Sequence, residues 1–400
     1  MRIAINTLAM KSKLHGVGNY IKNLVRSLSR RDAENDYLLF ASKENISHLK
    51  GLPANFQIVL APAGPAKKIF WEQSILPAKL KKYSVDLYHG PAFAVPFIKT
   101  CPQVVTIHDA SFTLTPERHP LYRRLYYRAT VPAVMRNADA IITVSQSTKS
   151  DLLQLASIPP EKILAVPLGV DPRFRPVENQ NQLFSLRQKY RLPRPFVLFV
   201  GMIEPRKNLQ LLIDSYLSGH FFDRFDLVLA GSLGWDYSQL LQKIDASGKR
   251  KHIRLPGYVE DADLPALYAA AEVFVYPSIY EGFGLPVLES MACGTPVITS
   301  SVSSLPEVAG DAALLVDPRD AAALTSALQK LLADKSLRDE FALRGLDRAA
   351  SFTWDQTAQK TLSVYQHLFS GSSQPIPEKS QDALASHKNS YEENHVTGHV

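Results

Sequence analysis

Cysteine is nearly missing from this chain of 400 residues, which has only Cys101 and Cys293. Neither stands in a CxxC pair or in Cys/His metal spacing. That excludes a disulfide scaffold and a zinc ribbon, and fits a reduced cytoplasmic protein. No run approaches the roughly 18 apolar residues that span a bilayer. The segment Met1 to Met10 has one arginine and an apolar stretch broken at Asn6 and Thr7, unlike a signal peptide. Solenoid-like repeats are missing too. What is present is globular material, 46% hydrophobic and 21% charged, enough for two cores at about 150 residues per domain.

The formal charge of +7 is unevenly spread. Residues 1–180 hold 24 Lys and Arg against 13 Asp and Glu, whereas residues 181–400 hold 21 against 25. A basic half suggests an anionic partner: nucleic acid, an acidic membrane surface or a phosphorylated acceptor.

Short β-branched and aromatic runs alternate with helical periodicity. Strands are expected near 3–6, 37–41, 56–61, 104–107, 140–144 and 163–166. A Pro-, Asn- and Arg-rich stretch from 171 to 195 reads as a linker with a short helix. A second series follows, with strands near 196–200, 227–230, 253–255, 273–276 and 296–299 and helices between them. Two such series imply α/β architecture: two doubly wound Rossmann-like domains facing each other across a cleft. The boundaries expected are 1–178, 183–350, a last helix at 353–369 and a polar, disordered tail at 371–400.

Four clusters carry chemistry. Gly16-Val17-Gly18 precedes a helix and could admit an anion to its N-terminus or merely turn the chain; Ile21 stands where a dinucleotide fingerprint needs its third glycine. Glu204-Pro205-Arg206-Lys207-Asn208 follows a strand, so Arg206 and Lys207 are expected to be exposed cations ready for phosphate oxygens. Glu281-Gly282-Phe283-Gly284-Leu285-Pro286 then leads to Glu289. Pro286 suits the first helical turn, Glu281 falls on the loop, and both glutamates can accept bonds from sugar or ribose hydroxyls. His108-Asp109 ends an apolar strand, where a histidine either faces a cleft or caps and packs. Asp261-Ala262-Asp263 matches a metal-binding DxD, but its position before a helix predicts N-terminal capping.

Together, Glu281 to Glu289, the following Ala292-Cys293-Gly294-Thr295-Pro296 and Leu305-Pro306-Glu307, and the Glu204–Asn208 segment resemble the retaining glycosyltransferases of family 4. The resemblance spans residues 2–369 and implies the GT-B fold, with the last helix crossing back to the first domain. It implies a nucleoside diphosphate sugar held by the second domain, with GDP-mannose favoured over a UDP-hexose and no metal or other cofactor. Arg206 and Lys207 would grip the diphosphate, with Gly16 and Gly18 closing over it. Glu289 would hold the ribose and Glu281 the sugar hydroxyls, beside the N–H groups of Phe283, Gly284 and Leu285. Tyr258 and Val259 would lie by the base, and His108 by the donor sugar.

The acceptor implied is a glycan or lipid-linked glycan of polysaccharide or lipopolysaccharide assembly. The run from Arg118 to Arg128 interleaves arginines with tyrosines, and Lys67, Lys68, Lys79, Lys81 and Lys82 flank Ile69, Phe70 and Trp71. Such helices suit an anionic membrane at the inner face of the cell, or are ordinary surface helices with arginine stems over aromatics. A nucleic-acid-binding protein gives no reason for the paired glutamates. The Glu-x-Arg-Lys-Asn element argues against a sugar-nucleotide epimerase, and a pyridoxal-type phosphorylase is much longer.

Overall fold

A computed structural model describes residues 1–371 except 13, 15, 63 and 116–120. The expected tail and part of the arginine–tyrosine run lie outside the described residues.

The first sheet has seven parallel strands: β1 (Arg2–Asn6), β2 (Asp36–Ala41), β3 (Phe56–Leu60), β4 (Leu87–Gly90), β5 (Gln103–Ile107), β6 (Ala140–Thr143) and β7 (Ile163–Ala165). Their spatial order is β3-β2-β1-β4-β5-β6-β7. The second has six: β8 (Phe196–Val200), β9 (Asp226–Ala230), β10 (Ile253–Gly257), β11 (Val273–Tyr276), β12 (Val297–Ser300) and β13 (Ala313–Val316), in the order β10-β9-β8-β11-β12-β13. Helices cover both faces, so a central strand such as Gln-Val-Val-Thr-Ile at β5 is buried at every position. Edge strand β3 instead leaves Gln57, Ile58 and Leu60 exposed. Strands β4 and β13 and the helices Ala321–Ala333 and Lys335–Ala350 add to the elements expected from sequence.

Order reverses between β1 and β4 in one sheet and between β8 and β11 in the other. At such points the loops leaving neighbouring strands diverge and open a crevice at the carboxyl ends. The two crevices face each other. Helix Trp354–Phe369, capped by the Thr353 hydroxyl on the Gln356 amide, returns from the second domain and packs on helix Gly16–Arg31 of the first. Thr357 Oγ1 fastens it to the Pro167 carbonyl at 2.8 Å.

Candidate active site in the interdomain cleft

The loop after β8 begins at Gly201 and forms one 3₁₀ turn, Pro205–Lys207. Asn208 then takes the left-handed conformation (φ 58°), turning the chain into helix Leu209–Ser218. This kink brings Arg206 and Lys207 back over the sheet, towards the loop after β11.

There the two cations meet carboxylates. Arg206 Nη1 lies 2.8 Å from Glu281 Oε2, and Nη2 lies 2.8 Å from Glu204 Oε1. Lys207 Nζ donates to Glu281 Oε1 at 2.5 Å and to the Tyr276 hydroxyl at 2.6 Å. The expectation of exposed cations is therefore corrected: Lys207 is 6% exposed, and the pair belongs to a four-membered cluster of zero net charge. Burial alone would require this, because an isolated buried charge costs several kcal/mol, roughly, even after relaxation.

Burial pushes the Glu281 carboxyl up, but Arg206 and then Lys207 outweigh it and hold it down at about 2. Burial lowers Lys207, helped by Arg206. For Arg206 the attraction of Glu281 and Glu204 overcomes burial and raises it. One donor is left over. The Arg206 Nε–H is buried with no acceptor, which costs about 1–3 kcal/mol and suits an anionic oxygen brought by a ligand.

Glu289 sits in helix Leu285–Ala292, whose N-cap, Gly284, has φ 119°, a conformation that glycine tolerates best. Its carboxylate accepts from the Tyr268 hydroxyl at 3.0 Å, and burial pushes it up to about 7. Around this end of the cleft lie Tyr258, Val259, Asp261 and Arg173, the last with a buried Nε that makes no hydrogen bond and has Asp171 Oδ2 3.7 Å away.

The first domain supplies the opposite wall. His108, at the end of β5, is 9% exposed and donates from Nε2 to the Pro91 carbonyl at 2.8 Å. Burial lowers its pKa, which favours neutral imidazole. Gly16 lines the cleft at its helix N-terminus, whereas Gly18 packs inside on Leu14 and Met10. The cavity between the walls measures about 560 Å³. Arg206, Lys207, Glu281 and Glu289 face it, as do Phe283, Gly284 and Leu285. Glu204, Tyr276 and Arg173 add to the sequence reading; Glu204 stands inside a motif already singled out and Tyr276 ends the strand before another, but Arg173 lies in the linker, where only its charge marked it.

The walls touch at Gly282. A Cβ there would stand 1.8 Å from the His108 carbonyl oxygen, so only glycine permits the approach. Ser145 Oγ donates to the Gly282 carbonyl at 2.7 Å. Tyr280 donates to Asp151 at 2.6 Å and accepts from the Ala110 amide, while Glu307 accepts from the amides of Gln146 and Ser147.

The capping expected of the DxD is also corrected. Asp263 occupies the N-cap of helix Leu264–Ala269 but makes no side-chain cap. It takes Lys189 at 2.5 Å and Tyr190 at 2.6 Å instead, while Asp261 accepts from Tyr258. Among the described residues no three His, Cys, Asp or Glu side chains gather where they could share an ion.

Two facing parallel sheets, with a polar cluster at the switch point of the second, define a GT-B glycosyltransferase. Residues 14–174 match the model described as Glycosyltransferase Family 4, and residues 184–347 match Glycosyl transferases group 1. The chain belongs to glycosyltransferase family 4. It is 34% identical to O-antigen chain mannosyltransferase B of Escherichia coli, over 92% of this chain and all of that one. Its fold is similar to that of sucrose-phosphate synthase from Thermosynechococcus elongatus (TM-score 0.76, 23% identity, 93% and 100% covered). HepE from Anabaena, solved in complex with UDP and glucose, is also similar (TM-score 0.73, 20% identity, 92% and 99% covered).

Proposed function

We propose that this glycosyltransferase is a retaining, metal-independent mannosyltransferase. It would move mannose from GDP-mannose, favoured over a UDP-hexose, to a hydroxyl of a lipid-linked glycan in surface polysaccharide assembly. The observation that carries this reading is the Arg206–Lys207–Glu281–Glu204 cluster facing His108 across the cleft. The sugar and pathway rest on the similarity to the O-antigen mannosyltransferase.

As the bond from the sugar C1 to the phosphate oxygen breaks, negative charge grows on the diphosphate. The Arg206 Nε–H, Lys207 and the first amides of helix Leu285–Ala292 are fixed donors for that charge. The acceptor oxygen bonds to C1 from the same face, and its proton passes to the departing phosphate oxygen. Glu281 suits the binding of sugar hydroxyls better than nucleophilic attack, because each of its oxygens is already held by a cation. Glu289 serves the ribose and neutral His108 the sugar.

A panel of nucleotide sugars, scored by thermal shift and by donor hydrolysis, tests the donor. GDP-mannose is expected to give the largest response. A response to UDP-glucose with none to GDP-mannose would sink the donor assignment.

A further inference from the structure

A buried polar chain runs from the returning helix to the cleft. The Tyr365 hydroxyl, on helix Trp354–Phe369, lies 2.6 Å from Nδ1 of His89 on β4. His89 Nε2 lies 2.8 Å from Thr106 Oγ1 on β5, and Thr106 Oγ1 lies 3.0 Å from the Tyr20 hydroxyl on helix Gly16–Arg31. The Tyr20 ring then meets the His108 ring edge to face, centroids 4.8 Å apart at 80°. On its other side the His108 ring is held by the Pro91 carbonyl.

All four members of the chain are essentially inaccessible to water. Burial, and then the nearby His108, lower His89 to about 3, so it is a neutral ring offering one donor and one acceptor. An apolar core of the same shape would be about as stable, since hydrogen bonds exchanged for water contribute little net energy. What a connected network adds is direction: each hydroxyl fixes the rotation of the next group.

We propose that Tyr365, His89, Thr106 and Tyr20 form a positioning relay that holds the His108 ring in its working orientation at the cleft. The returning helix is thereby part of the active site, although Tyr365 touches nothing that reacts. The inference rests on the reading of His108 as a contact to the donor sugar.

Steady-state transfer rates in single and double variants test it. Tyr365→Phe and Thr106→Val should each lower kcat by about tenfold, the scale of a small misplacement of a catalytic group, with donor KM near wild type. Thr106→Ser should keep the wild-type rate. In a His108→Ala background the same substitutions should have no further effect. Tyr365→Phe removes a single oxygen, so it carries the test if Thr106→Val fails to fold. An equal loss in both backgrounds, or no loss in folded Tyr365→Phe, would overturn the relay alone. Wild-type turnover by His108→Ala would overturn the role of His108 and the relay together.

Discussion

Glu281 and Glu289 occupy one motif, and both are largely removed from water, yet their surroundings drive them apart. Two cations hold the first at about 2, whereas burial pushes the second up to about 7 against the Tyr268 hydroxyl and the weaker pull of Arg173. In the proposed reading, the ionised form of Glu289 is the one that accepts two ribose hydroxyls. Below about 7 that form is scarce, so donor binding should weaken as pH falls, approaching tenfold per unit. Isothermal titration with intact nucleotide sugar across this range checks it, since Glu281 is held far below it and burial shifts His108 downward. Glu289→Gln should flatten the profile; an unchanged slope in that variant would assign the titration elsewhere. At this scale the sequence told much, but not the pairing. Arg206 and Lys207 stood out beside Glu204, yet the carboxylate they share lies more than seventy residues on, past three strands. Asp263 likewise looked like a cap because its partner Lys189 belongs to another helix.

Among the elements, legibility followed composition. Strand β8 is a run of Val, Leu and Phe, and β5 is rich in β-branched Val, Thr and Ile, so both declare themselves. Strand β4, Leu-Tyr-His-Gly, has four residues and no β-branched side chain, and only its two neighbours make it a strand. The helices Pro65–Phe70 and Leu121–Asn137, as expected, lie on the first domain, over the sheet face opposite helix Gly16–Arg31. They leave large apolar side chains in water: Phe70, Leu121 and Leu125 are each more than half exposed. Lys81, Lys82 and Arg128 are exposed in the same layer. No helix among the described residues is long and apolar enough to cross a membrane, but this pattern suits a surface that rests on anionic headgroups. Sedimentation with anionic vesicles should show binding that weakens with salt, and Phe70→Ser with Leu125→Ser should reduce it. Salt-independent binding, or none, would return these helices to an ordinary protein surface.

At the scale of the whole molecule, the uneven charge divides between the two walls of the cleft. The basic half forms one wall, the acceptor side in the proposed reading, and the second half holds its few cleft cations against carboxylates. The walls meet where Gly282 reaches the His108 carbonyl, so the donor cluster and the histidine share one small cavity. In the proposed mechanism, chemistry there depends on charge building up on the departing diphosphate and on attack from the face it leaves. The direct test is the product itself. Mannosyl transfer from GDP-mannose in the presence of EDTA, with the anomeric carbon of the new linkage read by NMR, should give the α-mannoside at undiminished rate. A β-linked product, or turnover that stops until Mg²⁺ or Mn²⁺ is restored, would contradict the account.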